Sequence, residues 1–115
     1  MMDSVVHRIA AGETVEFRPV GSSMVPLIKS RQLVTVVPVR PEVLEPGDIV
    51  LARVAGSVYL HLVSAVDHER KRVQISNNRG RVNGWTSHAR VYGICVSVEA
   101  VPRPRLAGKI RNIGA

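Results

Sequence analysis

Residues 49–66 read IVLARVAGSVYLHLVSAV, two runs of β-branched and apolar side chains around a short glycine-containing break. Such runs read as strands, and so short a break reads as a hairpin, pairing Ile49 to Val54 with Val58 to Val66 through Gly56-Ser57. Side chains alternate along a strand, so Tyr59, His61 and Val63 share one face while Leu60 and Leu62 share the other. A histidine thus stands in the middle of an otherwise apolar strand.

The same signals recur outward from this hairpin. Upstream, Pro46-Gly47-Asp48 is a turn with Asp48 fixing it, Leu33 to Val39 is a strand bounded by prolines, and Val15 and Phe17 alternate with Thr14, Glu16 and Arg18. Downstream, Arg72 to Ser76 and Val91 to Val98 are strands, with an Asn- and Gly-rich loop expected from Asn77 to Ser87. Asp3 or Ser4 is placed to cap a helix running through Val5, Val6, Ile9 and Ala10 to a stop at Gly12. The expected fold is mostly β and compact, with a short N-terminal helix in residues 1–12, a core in 13–98 and a flexible basic tail in 99–115.

Composition narrows the function classes. At 115 residues there is room for one core, and 45% hydrophobic against 22% charged residues excludes a disordered chain. No apolar run approaches the roughly 20 residues of a membrane span, and residues 1–12 lack the apolar centre of a secretory leader, so no membrane anchor is expected. Cys95 is the single cysteine, which precludes an internal disulfide and agrees with a cytoplasmic location; its β-branched surroundings mark it as a core residue. The net charge is +7, but Arg103, Arg105, Lys109 and Arg111 fall in the acid-free segment 102–115. With only Phe17, Tyr59, Trp85 and Tyr92 as aromatics, the chain has no stacking platform for single-stranded nucleic acid, and the tail reads as a solvated segment offering at most a weak nucleic-acid contact. His7, His68 and His88 are scattered without ligand spacing, so no metal or other cofactor is expected. Trp85 either lines a substrate groove or covers the core edge.

Residues 20–28, VGSSMVPLI, carry the chemistry. A serine attacks a carbonyl when its hydroxyl is exposed, stands beside a base and has backbone amides nearby for the oxyanion. A strand-to-turn junction supplies exposure and amides: Gly21 lets a substrate backbone approach, Met24 fills the core beneath, and Pro26 sets the chain direction.

The segment Gly21-Ser22-Ser23-Met24-Val25-Pro26 resembles the nucleophile motif of LexA-type self-cleaving repressors and type I signal peptidases. The resemblance continues in order over residues 13–98. Pro46 to Val50 is similar to the Gly-Asp strand of these proteins, Val58 to Val63 to the strand bearing their general base, Asn77-Asn78 to their closing turn, and Val91 to Val96 to their last strand. It implies Ser23 as nucleophile, with Ser22 a neighbour, and His61 as general base where the bacterial proteins have lysine. In this His61 is similar to the endoplasmic-reticulum and archaeal signal peptidases. Imidazole suits the role, since its ordinary pKa near 6.5 lets it accept a proton at neutral pH without the desolvation lysine needs.

The histidine-using relatives carry aspartates in the turn similar to residues 76–84, where this chain has none. An Asn carbonyl also orients a histidine, as in Cys-His-Asn triads, so Asn77 or Asn83 is the candidate third member. The oxyanion would be held by the Ser23 amide and a group near Gly21, with Ser22 and Met24 flanking the substrate. The resemblance implies a protein or peptide substrate bound in extended form, with small residues on the acyl side of the cut. Ala11-Gly12 is similar to the repressors' self-cleavage bond, although ten intervening residues barely reach back to Ser23; Ala107-Gly108 reads as incidental. The expectation is a small soluble serine endopeptidase. Its rival is a catalytically inactive module of the same fold that binds a protein or nucleic-acid partner.

Overall fold

The hairpin that opens the sequence reading organises the molecule. In a computed structural model that describes residues 2–103, 106 and 108–111, strand β3 (Ile49–Val54) pairs with β4 (Ser57–Asp67) from Ile49 opposite Leu62 to Val54 opposite Ser57. Ala55 and Gly56 both take left-handed φ, 49° and 87°, the two-residue turn whose twist matches that of the strands it joins. The turn therefore lies one residue earlier than Gly56-Ser57.

Around this hairpin run α1 (Met2–Ala10), β1 (Val15–Phe17), β2 (Val34–Pro38), β5 (Arg72–Ser76), β6 (Val82–Ser87), β7 (Val91–Val98) and β8 (Val101–Pro102). All strands belong to one antiparallel sheet in the order β1-β2-β7-β3-β4-β5-β6, with β8 on the end of β7. The mostly-β architecture with a short N-terminal helix is as the sequence indicates. Its central strands are buried on both faces, which is why residues 49–54 read as a continuous apolar run rather than an alternating one. Ile49 and Leu51 join Val5, Ile9, Val34 and Leu60 beneath α1. Val50, Ala52 and Val54 join Val63, Ile75 and Ile94 on the opposite face.

On that second face the sheet curls until β6 meets β3. Thr86 donates its hydroxyl to the Arg53 carbonyl at 2.6 Å, and Gly84 lies so close that a Cβ there would stand 3.2 Å from Val54 Cγ1. Residues 77–87 are therefore not one loop. Asn83 and Gly84 lower the local strand signal, but pairing with β5 and packing on β3 override it.

Two further expectations change. The helix starts at Met2, so Asp3 lies in its first turn rather than at a cap, whereas its end follows the expectation: Gly12 N–H donates to Ile9 O and Glu13 N–H to Arg8 O. The tail is docked through the residues described. Val101–Pro102 pair with β7, the Arg103 guanidinium donates to Gly47 O at 2.9 Å, and Ile110 bridges Val39. Lys109 is buried, its ammonium 2.9 Å from both Asp48 carboxylate oxygens and 3.6 Å from Glu45. A cation 61 residues from its partner, in a run of cations, gives no local sign of being paired. Asp48 also fixes its turn as read, accepting from Glu45 N–H at 2.9 Å. Arg105, Ala107 and residues 112–115 lie outside the described residues. Among those described, no helix is long and apolar enough to cross a membrane.

Candidate active site

Ser23 sits in the connection between β1 and β2, in a turn of helical sense where Val25 N–H donates to Ser22 O and Ile28 N–H to Met24 O. Met24 and Ile28 are buried and anchor the turn to the core, the role expected of Met24. The β5–β6 connection clamps the turn from above. Asn78 donates its amide to Ser23 O at 2.8 Å and its side-chain Nδ2 to Val25 O at 2.9 Å, while Arg79 Nε donates to Ser22 O at 3.2 Å.

His61, on β4, is 8% exposed, and its Nε2 stands 3.1 Å from Ser23 Oγ. Its Nδ1 stands 2.7 Å from Asn83 Oδ1. Sheet register explains how Asn83 arrives there. Ile75 pairs with Gly84 and Ser76 with Val82, leaving Asn83 as the extra residue of a bulge, and β5 ends at Ser76 opposite Leu62, one residue short of His61. The Asn83 side chain reaches past that end. Tyr59 stacks on the imidazole with centroids 4.9 Å apart, holding the ring plane.

This arrangement selects a tautomer. With a carbonyl oxygen facing Nδ1, the ring proton lies on Nδ1 and donates to Asn83, leaving the Nε2 lone pair to accept the Ser23 hydroxyl proton. Burial pushes the His61 pKa below 6.5, with the Asn83 hydrogen bond opposing the shift, so the ring is neutral at neutral pH.

Both side chains line a cleft of about 250 Å³ whose walls are mainly apolar, including Phe17, Met24, Ile28 and Leu60, with Arg18 and Lys29 at its edge. Ser23 N–H makes no hydrogen bond among the described residues. The Gly21 amide instead donates to Ser30 Oγ at 3.1 Å, so it is not a free oxyanion donor. Ser22 is exposed and is not among the residues that line the cleft.

Asn77 is not brought to His61. Its Oδ1 accepts from the amides of Arg79 and Arg81, both at 2.9 Å, and shapes its own turn. Asn78, which the sequence reading left without a role, is the residue that holds the Ser23 turn; its only signal was its place in the Asn-Asn pair. Trp85 projects from β6 beneath the Arg72 guanidinium, 4.7 Å from the ring, and is not among the cleft residues. Cys95 is fully buried and its thiol is pushed up to about 11 by burial. The Ala11-Gly12 bond lies in the helix-ending turn, where the amides of Ala11, Gly12 and Glu13 are all engaged. Among the described residues no group of three or more His, Cys, Asp or Glu is arranged to hold a metal ion.

Comparison of the chain with protein-family models, curated proteins and solved structures finds no match.

Proposed function

We propose that the protein is a serine endopeptidase of the signal peptidase and LexA-like type, acting on an extended segment of a protein substrate through Ser23, His61 and Asn83. The observation that carries this reading is the continuous hydrogen-bonded line from Asn83 Oδ1 through both nitrogens of His61 to Ser23 Oγ, ending at an apolar cleft.

His61 Nε2 takes the Ser23 hydroxyl proton as Oγ attacks the scissile carbonyl, and the Ser23 amide donates to the oxygen that gains charge. The imidazolium then gives that proton to the leaving amine, whose bond to the carbonyl carbon breaks, leaving an acyl-serine. Water, deprotonated by the same nitrogen, releases the acid and restores Ser23. Asn83 keeps the ring proton on Nδ1 throughout. A neutral amide stabilises the imidazolium less than a carboxylate does, so turnover is slow or limited to a dedicated substrate. The reading places this reaction in the cytoplasm.

The test is incubation of wild type, Ser23→Ala and His61→Ala with a proteome-derived peptide library, followed by mass spectrometry of peptides and intact proteins. Cuts made by wild type alone are expected, with an acid limb below pH 6.5, where His61 becomes protonated. Identical digests from all three proteins would overturn the reading in favour of a non-catalytic binding module.

A further inference from the structure

Resting on that reading, we infer that the substrate segment carries an aliphatic side chain flanked by acidic residues, selected by an apolar cleft with a cationic edge. The cleft that holds Ser23 and His61 is lined by Phe17, Met24, Ile28 and Leu60, which match an aliphatic side chain and offer a polar one nothing to bond. No carboxylate lines it, whereas Arg18 and Lys29 do. Lys29 is exposed and makes no ion pair among the described residues, while its backbone N–H is fixed by Gln32 Oε1 at 2.7 Å.

A third cation stands beside the nucleophile turn. Arg79 is held by its bond to Ser22 O, next to Ser23, and remains exposed. Arg18 is partly compensated by Glu99 at 3.4 Å, a carboxylate that also accepts the Leu33 amide at 2.8 Å. A peptide laid across Ser23 therefore meets two exposed cations, Lys29 and Arg79, neither of which makes an ion pair among the described residues, beside an apolar slot. Such a field favours acidic flanks and disfavours basic ones, most strongly at low salt. The slot itself distinguishes a peptide from a nucleic acid, because a phosphodiester chain supplies the charge but no aliphatic group for the cleft.

The test uses fluorescein-labelled decapeptides with a central Val-Ala-Ala and flanking Glu, Gln or Lys residues. Binding is measured by anisotropy on Ser23→Ala, and cleavage separately on wild type. The Glu peptide should bind about three- to tenfold more tightly than the Gln peptide, and the Lys peptide more weakly than either, with the differences shrinking at high salt. In Ser23→Ala carrying Lys29→Glu, whose altered side chain is exposed and outside the core, the preference should fall or reverse. Equal binding of the three peptides, no binding of any, or a preference untouched by Lys29→Glu would overturn the inference. Cleavage by wild type without charge preference defeats this inference alone. Charge-selective binding without Ser23-dependent cleavage upholds the selectivity and defeats the peptidase.

Discussion

Among the described residues, the Lys109–Asp48 pair and the Asn83–His61–Ser23 line are two largely buried polar constellations that differ in charge and in closure. Both attach to the β3–β4 hairpin: Asp48 immediately precedes β3 and accepts Val63 N–H at 2.8 Å, while His61 lies two residues before Val63 on the same strand. In the first, Lys109 and Asp48 meet as full charges with the ammonium directed at both carboxylate oxygens. In the second, Asn83, His61 and Ser23 form a neutral line whose last hydroxyl faces the cleft. A closed ion pair holds one geometry. A neutral line with an open end can pass a proton outward. On the proposed reading, the difference is that between a fastener and a reactive site.

Ser23→Ala and His61→Ala sharpen this comparison most. Each should reduce cleavage by about 10⁴-fold or more, since members of such a unit fail together. Neither should lower the urea midpoint by an amount comparable to loss of the ion pair. Lys109→Ala is the converse case. It leaves Asp48 buried without its principal partner and should cost about 3–5 kcal/mol in urea unfolding. Pairing Lys109→Met with Asp48→Asn should recover most of that loss, whereas equal losses in the single and double variants would show that burial of the tail, not charge pairing, is what matters. Under conditions where Lys109→Ala remains folded, the acid limb of its cleavage profile should not move.

Asn78→Ala should have a smaller effect. It removes only the side-chain bond to Val25 O, keeps the backbone bond to Ser23 O, and should lower kcat about tenfold with KM less affected. A pH profile unchanged in shape would assign it to positioning of the Ser23 turn. A shifted profile would instead couple it to His61.

The two constellations were unequally legible in the sequence. The local pattern offered only an exposed serine in a Gly- and Pro-bounded turn and a histidine on one face of an apolar strand; it was the resemblance of their segments to the signal peptidase and LexA-type motifs that singled out Ser23 and His61. The choice between Asn77 and Asn83 was not legible. It depends on a bulge in β6, a strand whose Asn83-Gly84 pair reads locally as a turn. The ion pair was hidden for a related reason: Lys109 looks like its cationic neighbours until the tail crosses Val39 and brings it to Asp48. Strand period and turn chemistry are local properties. Register shifts and contacts between distant segments depend on the whole sheet.

The smallest predicted change has the clearest sign. In wild type, burial holds the folded His61 pKa below its unfolded 6.5, so its contribution to stability is complete above pH 6.5 and is lost as pH falls toward the folded value. Asn83→Asp would place a carboxylate against Nδ1–H and raise the pKa of His61 above its unfolded value. The charged pair would then stabilise the fold below the unfolded pKa and lose that contribution as pH rises through the raised folded value. The His61 part of the stability curve should therefore rise with pH below 6.5 in wild type and fall with pH above 6.5 in the variant, as read from urea midpoints of the two proteins and of His61→Ala references carrying the same residue 83. The acid limb of cleavage should move from below pH 6.5 to above it, with a rate gain beyond the limb of up to about tenfold from better stabilisation of the imidazolium. A slope that keeps its sign would mean that Asn83 does not bear on the ring, and the line from Asn83 to Ser23 would lose its first member.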